Sequence, residues 1–238
     1  MITVIIPFIN LSNLTNGLLD CISNNEVKPD EIILIDNGST EDIDKLVVKT
    51  HSDLPIRHIR LEENIGVNPA WNLGVKESKG DIISILNNDI LISKYFFRFI
   101  TDAMNDDTIG MVVPVSSTKD KNIINELTEY ELPVFEDMTS RQGWAMTLRK
   151  DIYDKIGGIP ETIRIYSGDN YLFDACIWLG YKCYYITNSK IYHHQHSTLH
   201  NQKMSDGGLL HKEHDYWEKE LRPYLREKIN LLKQMENK

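Results

Sequence analysis

The sequence predicts an α/β fold with a mostly parallel central sheet flanked by helices, a Rossmann-like α/β/α sandwich. Two observations carry that expectation. Continuous apolar runs recur at regular intervals, at residues 2–6, 31–35, 56–61 and 82–86. Runs without polar alternation suit strands covered on both faces. Between them, residues 11–23, 41–50 and 69–79 have helical character. Strand–helix–strand alternation is how parallel strands are joined, because a parallel pair needs a crossover.

The third helix has the clearest punctuation. Asn68 is placed to cap it, Pro69 suits its first turn and Gly80 its exit. A fifth strand, "GMVVPVSS" (110–117), continues the pattern. The rhythm then changes. Residues 118–141 are polar and irregular and read as an insertion or long loop. "GWAMTLRKDIYDKIGGIPE" reads as a strand, then a helix from about Lys150 with an exit at Gly157 and Gly158. "DNYLFDACIWLGY" is an amphipathic helix ending at Gly180, followed by the strand "KCYYIT". Residues 197–208 read as a loop and 211–235 as a charged, amphipathic helix, which packs on the domain or serves a homodimer.

With 238 residues, 41% of them hydrophobic, the chain is long enough for a full core. Acidic residues outnumber basic ones by 35 to 26, a formal charge of −9, which disfavours a nucleic-acid acceptor or any polyanion. Cys21, Cys176 and Cys183 form no CxxC pair, so a reducing compartment is expected. The opening "MITVIIPFIN" has no basic flank and is interrupted by Pro7, unlike a signal peptide or a span. No later run is long enough to cross a bilayer. The expectation is a cytoplasmic protein without a transmembrane segment.

In an open parallel sheet, ligands sit beyond the carboxyl ends of the strands. Here those ends are polar: residues 7–10, then "DNGST" at 36–40, "EENIG" at 62–66 and "NND" at 87–89. Gly38 and Gly66 let backbone come close to a ligand. Gly74, inside a helix, costs about 1 kcal/mol against alanine, which points to tight packing or close ligand approach. The strand "DIISIL" delivers Asn87, Asn88 and Asp89, hard oxygen groups suited to a divalent cation whose shell is completed by phosphate.

Taken in order, "VIIPFIN", "ILIDNGSTED", "ENIGVNPAWNLGVKESKGDIISILNNDI" and "GDNYLF" resemble the family 2 glycosyltransferases of the GT-A fold. The resemblance covers most of the chain and is strongest over the first ninety residues. It implies a nucleotide-sugar donor, most readily a UDP-sugar, a Mn²⁺ or Mg²⁺ ion, and inverting transfer to a glycan or other hydroxyl acceptor. By position, Pro7 and Asp36 would line the nucleoside pocket, with Asn64, Gly66, Asn72 and Asn88 near the sugar nucleotide. Asp89, with Asn87 in place of a first aspartate, would correspond to the metal motif. Trp71 stands where many members have arginine. Asp169 matches the catalytic base, with Gly168 replacing the usual glutamate. Of the histidines in "YHHQHST", His194 and then His193 are favoured to complete the metal site. The domain would run over 1–212, with 1–117 as the nucleotide-sugar half and 118–212 as the acceptor and catalytic half. Residues 213–238 would form a helical extension.

Each assignment has a plainer counterpart. Asp169 suits a helix N-cap before "NYLFDACIW". Residues 36–40 suit a turn that leads into a helix, and 87–89 suit a loop capping one at Ser93. The histidines lack cysteine partners and zinc-finger spacing, so a solvated loop competes with a ligand role. Trp144, Trp178 and Tyr166 suit the core as well as a sugar platform. Nucleotidyl transfer is disfavoured because no glycine-rich, arginine-containing segment follows Val4. A sugar-nucleotide or glycan-binding module that has lost its base remains the alternative.

Overall fold

The computed structural model describes residues 1–139, 141–194 and 208–236. Among them, β1 (Ile2–Phe8), β2 (Glu31–Asp36), β3 (Ile56–Arg60) and β4 (Ile82–Leu86) are the four apolar runs of the first half. They pair in parallel in the order β3-β2-β1-β4. The helices between them are α1 (Ser12–Ser23) and α2 (Val67–Glu77). The expected helix at 41–50 is instead a short π-helical turn, Asp44–Val48.

Beyond β4 the sheet is mixed. β5 (Ile90–Ile92), α3 (Phe96–Met104), β6 (Ile109–Ser117), β7 (Phe135–Asp137), β8 (Ala145–Arg149), α4 (Lys150–Ile156), α5 (Gly168–Leu179) and β9 (Lys182–His193) follow in chain order. The full order is β3-β2-β1-β4-β8-β6-β9-β5, with β7 also on β9. The fifth long strand therefore does not extend the parallel row. β8 enters between β4 and β6 and runs antiparallel to both. This strand order has a chemical consequence. An antiparallel neighbour begins where its partner ends, so β8 starts at the carboxyl edge of β4. Likewise β9 runs antiparallel to β5, and its last residue, His193, is in register with Ile90.

The core lies in two layers, one on each face. Alternate residues of β1 divide between them, Val4 and Ile6 on one side and Ile5 on the other, as the two-residue period of a strand requires. Leu18, Leu19 and Ile22 of α1 and the phenylalanines of α3 fill the first layer. Residues of α2, α4 and α5 fill the second. Gly74 of α2 is there for packing: an added Cβ would lie 2.4 Å from Ile5 Cγ2.

Several predicted boundaries move. α2 begins at Val67 behind Gly66, whose φ of 101° suits only glycine. Asn68 is therefore inside the helix. It is wholly buried, donating to the Ile163 and Tyr166 carbonyls at 3.1 Å each. α4 does exit through Gly157 and Gly158, both at positive φ. The polar insertion supplies β7, which adds to β9. The last segment comprises α6 (Leu209–Tyr216), a π-helical turn at Trp217–Leu221, and α7 (Arg222–Glu236). A boundary at 212 falls within α6, and Trp217, Leu221, Leu225 and Ile229 are buried in the second layer. Among the described residues, no helix is long and apolar enough to cross a membrane.

Candidate active site

The four parallel strands end on one edge, and their loops are tied together there. Asn10 Oδ1 accepts from Thr40 N at 2.8 Å, and Asn10 N donates to Ser39 Oγ at 2.7 Å. Asn37 Nδ2 donates to Asn64 Oδ1 and to the Gly66 carbonyl, at 3.1 and 3.0 Å. Asn64 Oδ1 also accepts from Gly66 N at 2.9 Å. Asn64 and Gly66 thus shape the turn into α2. Pro7 is half-buried beside Ile35, next to this cluster.

Asp36 closes β2 and is wholly buried. Its Oδ1 accepts from Ser39 N at 2.8 Å. Its Oδ2 has no hydrogen bond among the described residues, although Arg60 Nη1 lies 3.2 Å and His58 Nε2 3.8 Å away. Arg60 is fixed by donating Nη2 to the Ser39 carbonyl at 2.8 Å. A buried carboxylate oxygen without a hydrogen bond is costly unless something else fills the role. The turn reading of 36–40 holds through Ser39, yet it uses only one of the two oxygens.

Asp89 and His193 meet at the junction of β4, β5 and β9. His193 Nε2 is 3.3 Å from Asp89 Oδ1, and both residues are nearly buried. The register of His193 with Ile90 puts it there. His194 takes the other side of the strand. Its backbone N donates to the Asp89 carbonyl at 2.9 Å, and its ring meets Tyr192 edge-on. Burial pushes the His194 imidazole below its usual range, against the pull of Asp89. The geometry therefore puts His193, the second of the two favoured histidines, on the carboxylate, with His194 beside it. His196 falls outside the described residues.

The donor set suits a divalent cation. Nitrogen and oxygen ligands at about 2.0–2.2 Å on adjacent octahedral positions stand about 3 Å apart, close to the 3.3 Å observed. No group of three His, Cys, Asp or Glu side chains placed to hold a metal ion occurs among the described residues. The remaining ligands must then come from elsewhere, as substrate phosphate and water do for such ions.

Two of the predicted contact residues also tie the structure together. Asn72 donates Nδ2 to the Ile159 carbonyl at 2.7 Å, while its Oδ1 accepts from Tyr153 and from Ile159 N. Its amide anchors the turn after α4 and keeps one N–H of Nδ2 beyond these bonds. Asn88 is buried and donates to Thr15 Oγ1 at 3.2 Å, tying the metal loop to α1. Asn87 donates its backbone N to the Trp144 carbonyl at 2.9 Å.

That bond leads to Asp169. Trp144 stacks on His193 with ring centroids 5.0 Å apart. Gly143, the residue before it, sits with its Cβ position 3.4 Å from the Asp169 carboxyl. Asp89, His193, Trp144, Gly143 and Asp169 are thus consecutive neighbours along one edge. Asp169 is the second residue of α5, behind Ser167 at φ 61°. Its Oδ1 accepts from Asn170 N at 2.9 Å. Burial raises its pKa, opposed by the Asn170 amide and the Arg141 charge. The neighbouring Gly168 is tightly enclosed: a Cβ there would lie 2.2 Å from Asn68 Oδ1 and 2.9 Å from Trp71 Cζ3.

Sequence reasoning missed the residues that hold this loop. Glu213 of α6 accepts from three consecutive amides, Arg164 N at 2.8 Å, Ile165 N at 3.0 Å and Tyr166 N at 2.7 Å. A glutamate in a charged helix carries no local sign of such a task.

Comparison with known proteins agrees with this geometry. Residues 3–167 match the family model described as glycosyl transferase family 2. A chondroitin synthase of Pasteurella multocida is 27% identical over 128 residues, 52% of this chain and 13% of that protein. An O-antigen chain rhamnosyltransferase of Salmonella typhimurium is 24% identical over 232 residues, 88% of this chain and 72% of that protein. The chain thus spans well under a fifth of the length of some curated relatives it matches. Among solved structures, a mannosyltransferase of Pyrobaculum calidifontis in complex with GDP-Man and Mn²⁺ superposes with a TM-score of 0.65. It is 18% identical, covering 97% of this chain and 73% of that one. The match covers well over half of the sequence and the fold is of the GT-A type: this chain belongs to glycosyl transferase family 2.

Proposed function

We propose that the chain is a metal-dependent inverting glycosyltransferase, moving a sugar from a nucleoside-diphosphate donor to a hydroxyl acceptor with Asp169 as base. One observation carries this reading: Asp36, Asp89 and Asp169, far apart in sequence, share one edge of the sheet, the last two through an unbroken row of contacts. The Mn²⁺ and GDP-Man held by the structural neighbour agree with it.

Each residue has a chemical task. Asp36 Oδ2, beside the Arg60 guanidinium, presents an acceptor next to a donor. That pair matches the imide N–H and adjoining carbonyl of uracil, so a UDP-sugar is the proposed donor. Asp89 and His193 would hold the cation, with Asn87 beside them. When bound, a divalent ion neutralises charge developing on the departing diphosphate. Asp169 takes the proton from the acceptor hydroxyl as that oxygen attacks. Holding both substrates against one edge supplies the orientation such a displacement needs.

The test is release of nucleoside diphosphate from UDP-, GDP- and TDP-sugars with Mn²⁺, by wild type, Asp169→Ala and Asp89→Ala. Metal-stimulated release lost in both variants is expected. A binding module is the second reading, favoured by Gly168, where a glutamate side chain has no room. Absence of metal-stimulated turnover with every donor, together with retained nucleotide binding, would establish that reading instead.

A further inference from the structure

A chain of charges centred on one buried carboxylate links the C-terminal helix to the segment beside the proposed base. Asp174 lies on α5 and is only 4% exposed. Its Oδ1 accepts from Arg141 Nη2 at 2.8 Å and its Oδ2 from Arg222 Nε at 2.7 Å. Arg222, at the start of α7, also donates Nη1 to Glu218 at 2.9 Å. Asp174 is thus clamped between the segment preceding β8 and the last helix. A carboxylate so enclosed is tolerable only because both oxygens are paired.

Arg141 is the end of this chain that reaches the site. Its guanidinium lies over the Phe173 ring, 4.8 Å from the centroid. Phe173 is four residues after Asp169 on α5, hence on the same helical face one turn away. Two residues after Arg141, Gly143 abuts the Asp169 carboxyl at 3.4 Å. Arg141 Nε is buried and makes no hydrogen bond among the described residues. The guanidinium is therefore held by one edge through Asp174 and stacked on one face by Phe173, with its Nε–H unspent.

We propose that Arg141 is a positioning residue for the transfer reaction, held one helical turn from Asp169 by its stacking on Phe173 and by the Asp174–Arg222 clamp, so that α7 belongs to the working site. This rests on the assignment of Asp169 as base. A base must be ionised to accept a proton, and burial works against ionisation here while the Arg141 charge works for it. Arg141 is the charged side chain that acts on Asp169 from the elements packed around it.

The experiment is the pH profile of kcat/KM for Mn²⁺-dependent release of nucleoside diphosphate by the full chain, using whichever UDP-, GDP- or TDP-sugar turns over. Arg141→Met is expected to move the acid limb upward by about one pH unit, and Arg141→Lys to restore most of that shift. Arg222→Met, which leaves the site residues intact, is expected to shift the limb the same way by less. It carries the test if Arg141→Met does not fold. Superimposable profiles for both methionine variants, with Asp169→Asn inactive, would overturn the positioning role and leave the base assignment standing. Undiminished turnover by Asp169→Asn would remove the base assignment, and the proposal with it.

Discussion

His193 Nε2 stands 3.3 Å from Asp89 Oδ1, the carboxylate sitting just before β5 and the imidazole at the last residue of β9. A register match between β5 and β9 brings them together from opposite ends of the second half of the chain. Asp89→Ala is expected to reduce Mn²⁺-stimulated donor turnover by about a hundredfold or more, and His193→Ala by about ten- to a hundredfold. His194→Ala should have the smaller effect of the two histidine variants. Mn²⁺ titrations of initial rate decide the order, and a greater loss in His194→Ala would transfer the ligand role to it.

Asp36→Asn replaces an acceptor oxygen with a donor amide in one of two orientations. Ser39 N must keep its partner, so the amide nitrogen is turned toward Arg60 and toward the space where a base N–H would point. UDP affinity, measured by calorimetry, is expected to fall about tenfold, worth about 1.4 kcal/mol. Unchanged affinity would place the nucleoside elsewhere.

The raised pKa of Asp169 has a consequence for stability. The unfolded chain releases this proton at lower pH than the folded one. The folded state is therefore favoured while both forms are protonated, below the ordinary carboxylate range, and loses that advantage as pH rises through the folded-state value. Asp169→Asn cannot ionise. It is expected to melt at a higher temperature than wild type at neutral pH, with the gap closing on acidification. A gap that is constant across pH would contradict the burial of an ionised group.

Glu213→Gln keeps the shape and loses an acceptor oxygen, so one of the three amides at 164–166 is left without a partner. The expected cost is about 2 kcal/mol, a drop of about 4–8 °C in melting temperature. Turnover should fall as well, because the same loop carries Asp169. Loss of stability with an unaltered kcat would confine Glu213 to holding the fold.

The parallel half of the sheet was legible because each strand is a continuous apolar run and each crossover is punctuated by glycine or a polar turn. Asp36 and Asp89 stood out for the same reason, since one closes such a run and the other stands two residues after the asparagine that follows another. The second half was not. Whether β8 lies beside β4 or beyond β6 depends on pairing between distant residues such as Ile85 and Met146, and nothing local encodes it. The closeness of His193 to Asp89 needed the register of β9 against β5, which nothing local encodes. The bonds of Asn72 to the turn after α4 were not legible, because an asparagine that serves a ligand and one that serves a backbone turn look alike in sequence. Arg141, Asp174, Glu213 and Arg222 sit in polar stretches whose partners are many residues away.

The missing side chain at position 168 closes off a mutational route. Asn68 is pinned by two carbonyls and its Oδ1 occupies the space where a new Cβ would stand. An acidic residue beside Asp169 could not arise by one replacement without evicting Asn68 from α2. A paired acid at this place would therefore require coupled changes at positions 68 and 168, far apart in the chain but in contact in the fold.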